Sequence, residues 1–184
     1  MAASSETTRE VADRVRLVEE HVRMENDHDL EGVLDTFGDA PRYEDESWGA
    51  VYDGLGGVRE YYESLLTALP DFQIDVQNRH ITDDEIVLEV VISGTHEGNY
   101  HGLPPTGRRV SFPLCTVYSF DDDGKLESER IYYDRATVFR QVGVFHEPDG
   151  IGGQLLTALS HPITVSRALV RSGTGRVRSL LKAR

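Results

Sequence analysis

The chain has 184 residues, of which 39% are hydrophobic and 28% are charged. That length suits one domain with a sizeable core, and the composition argues against intrinsic disorder. The formal charge of -13 disfavours nucleic-acid binding, because phosphate contacts need a basic surface. A single cysteine, Cys115, excludes an internal disulfide and a zinc cluster built on cysteines. We expect a cytoplasmic protein, since neither a secretory signal nor a membrane-length apolar run is present.

Helical patterns dominate the first 70 residues. Valines 11, 15, 18 and 22 form one stripe of a helix, and Thr7 with Glu10 has the spacing of a capping box that starts it, which leaves residues 1–7 as a disordered N-terminus. A short second helix with Leu30 and Phe37 is predicted to end at Gly38. Residues 41–53 predict two short strands around a turn, and a third helix then runs from about Val58 to the stop at Pro70.

After Pro70 the hydrophobic period changes from 3.6 to 2, which predicts strands. The pattern predicts a central strand over residues 86–92, followed by a glycine- and proline-rich connection over 94–108. Two further strands, 110–120 and 125–133, are predicted to form a long hairpin with its turn at 121–124. A short helix is predicted over 135–142. Helices followed by long strands predict an α+β fold, with the helices on the concave face of a curved antiparallel sheet that encloses a conical cavity.

The C-terminal segment differs in charge from the rest of the chain. Residues 151–184 contain no acidic residue but hold six of the 19 basic ones. We therefore divide the chain into a domain over 8–147 and a basic, amphipathic helical tail over 148–184. This tail is expected either to dock on the acidic domain or across a dimer, or to contact an anionic membrane or an acidic partner.

Four stretches resemble the SnoaL-like family, the polyketide-cyclase and ester-cyclase branch of the nuclear-transport-factor-2-like superfamily. They are PDFQID at 70–75, GTHEGNYHGLPPTGRRV at 94–110, DGK at 123–125 and YYDRATVFRQVG at 132–143. The resemblance implies a cystatin-like α+β cone, a homodimer formed through the outer sheet face, and a pocket for a small hydrophobic molecule. It also implies ring closure by aldol condensation with no metal and no organic cofactor.

The resemblance also assigns pocket positions, and here the chain departs from the pattern. The aspartate base of the aldol cyclases falls on Ile131, which cannot take a proton. The pocket histidine falls on Thr116, its glutamine neighbour on Leu114, and an asparagine of the first strand on Tyr43. The aldol mechanism is therefore in doubt even though the fold assignment is not.

Other acid–base candidates have to replace the missing aspartate. Asp134 is either the N-cap of the last predicted helix or a catalytic acid–base group. His101, like His96, lies in the loop expected to form the cavity rim, where it either titrates near neutral pH or is simply solvated. Glu129 shares a strand face with Ile131, and is either a buried base with a raised pKa or an exposed edge residue. We expect no metal, because His96 and His101 lack a third ligand at a defined spacing.

Aromatic side chains complete the predicted pocket. Tyr43, Trp48, Tyr118 and Tyr133 are expected to line it, together with Leu114, Thr116 and Ile131, whereas Tyr132 is expected to pack outside. The sequence thus predicts a cofactor-free cyclase or isomerase that acts on a hydrophobic carbonyl compound. The alternative is a non-catalytic binding module that has kept the cavity and lost the base.

Overall fold

The computed structural model describes residues 2–145 and 150–167. The chain divides into two compact units after Val142. The first unit contains four helices and six strands. They are α1 Ala2–Asp27, α2 Leu30–Asp35, β1 Phe37–Asp45, β2 Ala50–Asp53, α3 Gly54–Ala68, β3 Gln73–Ile81, β4 Glu85–Thr95, β5 Arg109–Phe120, β6 Leu126–Tyr133 and α4 Arg135–Val142.

The six strands form one curved, open sheet in the order β2-β1-β6-β5-β4-β3. Strands β3 to β6 pair antiparallel throughout, which confirms the single antiparallel sheet predicted over 72–133. Strand β1 pairs antiparallel with β2 but parallel with β6, so the first and last long strands are neighbours. The α+β class with helices packed against a curved sheet is confirmed.

Two helix boundaries differ from the sequence-based expectation. Helix α1 begins at Ala2, so Thr7 lies inside the helix and the capping box does not start it. Helix α2 ends at Asp35 rather than at Gly38. The physical reason is that the carbonyl of Thr36 accepts the backbone N–H of Leu126 at 3.0 Å, which draws the next residues into strand β1. Phe37 therefore enters the core from a strand and not from a helix.

The core of the first unit lies between the concave face of the sheet and helices α1, α2 and α3. Side chains that point alternately inward along β4 and β5 supply its floor, as the strand period requires. The most deeply buried apolar residues include Val18, Val33, Val58, Ala68, Ile86, Leu88, Val110, Tyr118, Leu126 and Ile131. On the opposite face Tyr132 is 43% exposed, which agrees with its predicted outward orientation.

The second unit is described over residues 143–145 and 150–167. Helix α5 spans Gly150–Ser160, and residues 162–167 are also helical. Part of the predicted amphipathic tail, including Val177, Leu180 and Lys182, lies outside the described residues. No helix in the described part of the chain is long and apolar enough to cross a membrane.

A chain that ends at Glu147 is expected to fold on its own, because the first unit buries its own apolar core. Its thermal unfolding midpoint, measured by circular dichroism, should lie close to that of the full-length chain. Aggregation or a large fall in the midpoint would show instead that the tail covers apolar surface. Normal folding with loss of binding to anionic liposomes would support the membrane interpretation of the tail.

Candidate active site

One cavity opens between the concave sheet face and helices α1, α3 and α4. Most of its walls are apolar, but three carboxyl groups, two histidines and a set of tyrosines also line it. The polar lining residues are Glu25, Asp45, Ser64, His96, His101, Thr116 and Glu129, and the tyrosines are Tyr43, Tyr52, Tyr61, Tyr100, Tyr118 and Tyr133. A concave, largely apolar pocket with a few converging polar groups is the usual form of a small-molecule site.

Sheet register arranges the key side chains in rows across β1, β6 and β5. The first row is Tyr43, Glu129 and Tyr118, and the second is Asp45, Ile131 and Thr116. Successive residues on one strand face are roughly 7 Å apart, and neighbouring strands are about 4.8 Å apart. The backbone positions of Asp45 and Glu129 are therefore roughly 8 Å apart on the diagonal.

Glu129 is 3% exposed and belongs to a buried polar group that we call the Glu129 cluster: His21, Glu25, Tyr62, Thr116 and Glu129. The Tyr62 hydroxyl lies 3.0 Å from Glu25 Oε1 and 3.0 Å from Glu129 Oε2. Thr116 Oγ1 donates to Glu129 Oε1 at 3.3 Å. The structure thus places Glu129 inside the cavity and not at an exposed sheet edge.

Hydrogen-bond geometry fixes the orientation of the His21 ring within this cluster. The Thr36 hydroxyl donates to the carbonyl of Val33 at 2.6 Å, so its oxygen must accept from His21 Nδ1 at 2.7 Å. His21 Nε2 consequently faces the carboxylates, 3.3 Å from Glu129 Oε2 and 3.6 Å from Glu25 Oε2. The single Tyr62 proton cannot serve every acceptor here, so the cluster has to hold one further proton.

The pKa shifts agree with such proton sharing. Burial raises the pKa of Glu25 to about 7, against the lowering effect of His21. Burial alone lowers the pKa of His21, but the nearby carboxylates of Glu25 and Glu129 outweigh it and leave that pKa raised. One proton, on His21 or on Glu25, would offset the repulsion between the buried negative charges of Glu25 and Glu129.

The potential ligand atoms of His21, Glu25 and Glu129 all lie within 4.8 Å of one another. Among the described residues this is the one group of three such side chains close enough together to bind a metal ion. One histidine nitrogen and two carboxylates can ligate a divalent cation. However, the Tyr62 hydroxyl lies within hydrogen-bond distance of both carboxylates, and proton sharing accounts for the arrangement without an ion.

A second polar group, which we call the Asp45 cluster, consists of Asp45, Trp48, Tyr100 and Tyr133. Asp45 Oδ1 accepts the backbone N–H of Trp48 at 3.1 Å, and the Tyr133 hydroxyl lies 3.3 Å from Asp45 Oδ2. The hydroxyls of Tyr100 and Tyr133 are 2.6 Å apart, and Trp48 Nε1 donates to Tyr133 at 2.8 Å. Burial raises the pKa of Asp45, which is 2% exposed.

The loop at 96–108 covers one side of the cavity with His101. The imidazole of His101 stacks on the Trp48 indole at 3.8 Å between ring centroids, and the Arg135 guanidinium lies 4.5 Å from the same indole. His101 has a positive φ of 47°, and Gly102 follows with a φ of 85°, so the loop turns sharply at this contact. Burial lowers the pKa of His101, and the charge of Arg135 adds to that effect.

Most predicted pocket residues are brought together by the structure. Tyr43, Leu114, Thr116, Tyr118, Ile131, Tyr133, Glu129 and His101 line the cavity. Trp48 does not line it directly but contacts the lining residues Tyr100, His101 and Tyr133. His96, expected in a solvated loop, is 2% exposed and also lines the cavity.

Asp134 lies outside the cavity lining, at the N-terminus of α4. Its carboxylate accepts the backbone N–H groups of Ala136 at 2.9 Å and Thr137 at 3.2 Å, and the Thr137 hydroxyl at 2.7 Å. These bonds, with the Thr137 hydroxyl as the largest contribution, lower its pKa. The geometry is that of an N-cap, and the structure does not bring Asp134 together with Glu129 and the tyrosines.

Replacing Asp134 by alanine is therefore expected to cost about 1 kcal/mol of unfolding free energy, because the α4 N–H groups lose their acceptor. Asp134→Ser should recover most of this loss, since a serine oxygen can accept the same bonds. Urea denaturation of the three proteins measures both effects. If Asp134→Ser were fully stable but inactive on a substrate, the carboxylate would have a catalytic role as well.

Several site residues were not predicted from the sequence: His21, Glu25, Asp45, Tyr61, Tyr62 and Tyr100. His21 and Glu25 have a helical i, i+4 spacing on the buried side of α1, and this spacing could have indicated a polar pair facing the core. No comparable sequence pattern pointed to Asp45, because its neighbours across the sheet are known only once β1 is seen to pair in parallel with β6.

The sequence profile of the SnoaL-like polyketide cyclases matches residues 12–142. The chain belongs to this family. Its cavity, with the helices above and the curved sheet below, lies entirely within the matched residues. A search of curated proteins finds no match to the chain.

Solved structures agree with the family assignment. AclR, a candidate hydroxylase from Streptomyces galilaeus, is 26% identical with a TM-score of 0.65, covering 74% of this chain and 89% of its own. A candidate SnoaL-like polyketide cyclase from Jannaschia sp. CCS1 is 20% identical with a TM-score of 0.67, covering 73% and 94%. A protein from Catenulispora acidiphila with a ketosteroid isomerase-like fold is 16% identical with a TM-score of 0.61, covering 70% and 93%. This SnoaL-like protein thus has the nuclear-transport-factor-2-like fold.

Proposed function

We propose that this SnoaL-like protein is a cofactor-independent isomerase or cyclase that acts on a hydrophobic carbonyl compound, with Glu129 as the general base. The observation that carries this proposal is the position of the Glu129 carboxylate, which is buried in a largely apolar cavity lined by tyrosines and lies 3.0 Å from the Tyr62 hydroxyl. A carboxylate held in such a cavity can act as a general base toward a C–H group next to a carbonyl.

Tyrosine hydroxyls supply the groups that such a reaction needs on the carbonyl side. Burial, with the negative charge of Glu129 as a further contribution, raises the pKa values of Tyr43, Tyr61 and Tyr118. These phenols therefore keep their protons at neutral pH and can donate a hydrogen bond to a carbonyl oxygen as it gains charge. Tyr43 and Tyr118 flank Glu129 in the same row of the sheet, so base and donors face one region of the cavity.

The chemical step has a simple balance. Glu129 takes a proton from the carbon next to the carbonyl, and the electron pair moves to the oxygen to give an enolate. In an isomerase Glu129 returns the proton to another carbon of the conjugated system. In a cyclase the enolate carbon attacks a second carbonyl carbon of the same molecule, and the protonated Glu129 gives its proton to the alkoxide oxygen that forms.

The experiment that tests this function uses a bicyclic β,γ-unsaturated ketone, whose conversion to the conjugated isomer increases ultraviolet absorbance. Incubation in D2O, followed by mass spectrometry, reports proton exchange next to the carbonyl even if no isomer accumulates. Enzyme-dependent exchange supports the proposal, whereas binding of the ketone with no exchange would overturn it.

The second candidate is a non-catalytic binding module, and the apolar Ile131 at the aldol-base position favours it. Ile131 separates the Glu129 cluster from Tyr133 along β6, so the usual aldol geometry is lost. We accordingly expect no aldol cyclisation of anthracycline-type precursors, even if proton exchange is catalysed. Mass spectrometry of a ligand that co-purifies with the protein would identify the molecule to test in both assays.

A further inference from the structure

The cavity has an unbalanced set of charged side chains. Glu25, Asp45 and Glu129 line it, and among the described residues that do so none is a lysine or an arginine. Burial lowers the pKa values of His96 and His101, so both imidazoles are neutral at physiological pH. The lining therefore offers negative charge to a ligand without a matching positive side chain.

The groups that hydrogen-bond to the Asp45 carboxylate are all neutral. Its hydrogen-bond partners are the neutral N–H of Trp48 and the Tyr133 hydroxyl, the latter at a long 3.3 Å. Arg135 lies over the Trp48 indole, and its charge lowers the pKa of Asp45, but within residues 2–145 and 150–167 no basic side chain is within ion-pair distance of this carboxylate. Glu129 differs in this respect, because His21 and two hydroxyls face its carboxylate.

Aromatic rings surround the same carboxylate. Four tyrosines line the cavity together with Asp45, and the hydroxyl of one of them, Tyr133, lies 3.3 Å from its Oδ2 atom: Tyr52, Tyr61, Tyr100 and Tyr133. The charge of Asp45 adds to the effect of burial in raising the pKa values of all four. The electron-rich faces of such rings attract cations, and a ring set with a carboxylate among it is the recognised form of an ammonium site.

Two buried polar atoms that line the cavity also lack a hydrogen-bond partner. Glu25 is 5% exposed, and its Oε2 atom accepts no hydrogen bond within the described structure. His96 Nε2 is equally without a partner, while its Nδ1 lies 3.0 Å from the Thr106 hydroxyl. His21 Nε2 already faces the Glu25 atom at 3.6 Å. Because an unpaired buried polar atom is costly, His96 Nε2 is the atom that a ligand with a polar hydrogen-bonding group would satisfy.

We propose that the ligand of this cavity carries a protonated or quaternary amine on an apolar skeleton, and that Asp45 with its surrounding tyrosines binds the ammonium group. This inference deepens the function proposed above and rests on it for the carbonyl part of the ligand. Asp45 and Glu129 lie at separate positions of the sheet, with their backbones roughly 8 Å apart on the diagonal. Asp45 thereby anchors one end of the substrate and aligns the other with the base.

A matched pair of probes tests the ammonium site without any chemistry. One probe is 2-naphthylmethyl-trimethylammonium, and the other is 2-neopentylnaphthalene, which has the same shape and no charge. Neither contains a carbonyl group, so their binding is independent of proton exchange. Quenching of intrinsic fluorescence measures both dissociation constants, and we expect the cationic probe to bind the wild-type protein at least tenfold more tightly.

Substitutions then test whether Asp45 is responsible for the preference for the cationic probe. Asp45→Asn should bring the two dissociation constants to within about twofold of each other, mainly by weakening the binding of the cationic probe. Asp123→Asn, which removes the same charge from the exposed β5–β6 turn, should leave the tenfold preference intact. If Asp45→Asn does not fold, Tyr52→Leu serves as a second variant, because Tyr52 is only half-buried and its replacement should be tolerated. Tyr52→Leu should weaken binding of the cationic probe more than binding of the neutral one.

Three results would overturn the proposal. Equal binding of the two probes to the wild-type protein would remove the ammonium preference. A preference that survives both Asp45→Asn and Tyr52→Leu would place the cation elsewhere. Displacement of the cationic probe by stoichiometric Mg²⁺ or Zn²⁺ would show that the acidic groups bind a metal ion instead. Loss of proton exchange with an intact probe preference would refute the proposed function and leave this site unaffected.

Discussion

Replacement of Glu129 by glutamine is expected to lower kcat for proton exchange or isomerisation by roughly 10²–10⁴-fold, the usual contribution of a general base. Glutamine has nearly the same shape, and its carbonyl oxygen can still accept from Tyr62 or Thr116, so the cavity should stay intact. It cannot take a proton, however. The dissociation constant of a hydrophobic ligand should change little, which separates loss of chemistry from loss of binding.

Glu127→Gln is the matched control for this variant, because Glu127 lies on the same strand with its side chain exposed. The control should be as active as the wild-type protein, and circular dichroism of both variants checks their folding. Undiminished turnover in Glu129→Gln would mean that another group takes the proton. Asp45 would then be the next carboxylate to substitute, since it lines the same cavity.

Folding stability is expected to fall as the pH rises from about 5 to 8, and Glu25 is the main reason. Its pKa is about 7 in the folded protein, against an ordinary value of 4.5. The folded state therefore binds the proton more tightly than the unfolded state. The stabilisation is complete below pH 4.5 and is lost as the pH passes 7, with an upper bound on the order of 3 kcal/mol. The raised pKa of His21 acts in the same direction.

Glu25→Gln should flatten this pH dependence, because glutamine does not titrate and can still accept the Tyr62 hydroxyl. Urea denaturation at pH 5.5, 6.5, 7.5 and 8.5 measures the free energy of unfolding of the wild-type and variant proteins. Glu127→Gln should keep the wild-type slope. A wild-type stability that rises between pH 6 and 8 would show that the two buried glutamates share no proton.

The order and type of the main elements could be predicted from sequence, because hydrophobic period and turn residues are local signals. The change of period after Pro70 and the DDDG turn at 121–124 marked β3 to β6 correctly. The start of β1 at Phe37 could not be read in this way. It depends on pairing with Leu126, almost 90 residues later, which overrides the local helical pattern around Leu30 to Phe37.

The candidate site was predictable to the extent that strand alternation decides it. Once β5 and β6 were placed, Thr116, Tyr118, Glu129 and Ile131 had to share one face. The burial of Glu129 could not be predicted, because it depends on His21 and Tyr62 from helices whose packing angle leaves no local trace. The proton-sharing cluster is a tertiary feature that combines residues from α1, α3, β5 and β6.

The parallel pairing of β1 with β6 has a consequence for the order of events during folding. Tyr43 pairs with Glu129, and Asp45 with Ile131, across a separation of 86 positions in the sequence. Contacts of such sequence separation carry a high loop-closure entropy and form late. The β3–β4 and β4–β5 hairpins can assemble first, since their pairings are more local. A nascent chain should therefore acquire its sheet well before it can bind ligand, and binding competence should appear only when β6 has left the ribosome.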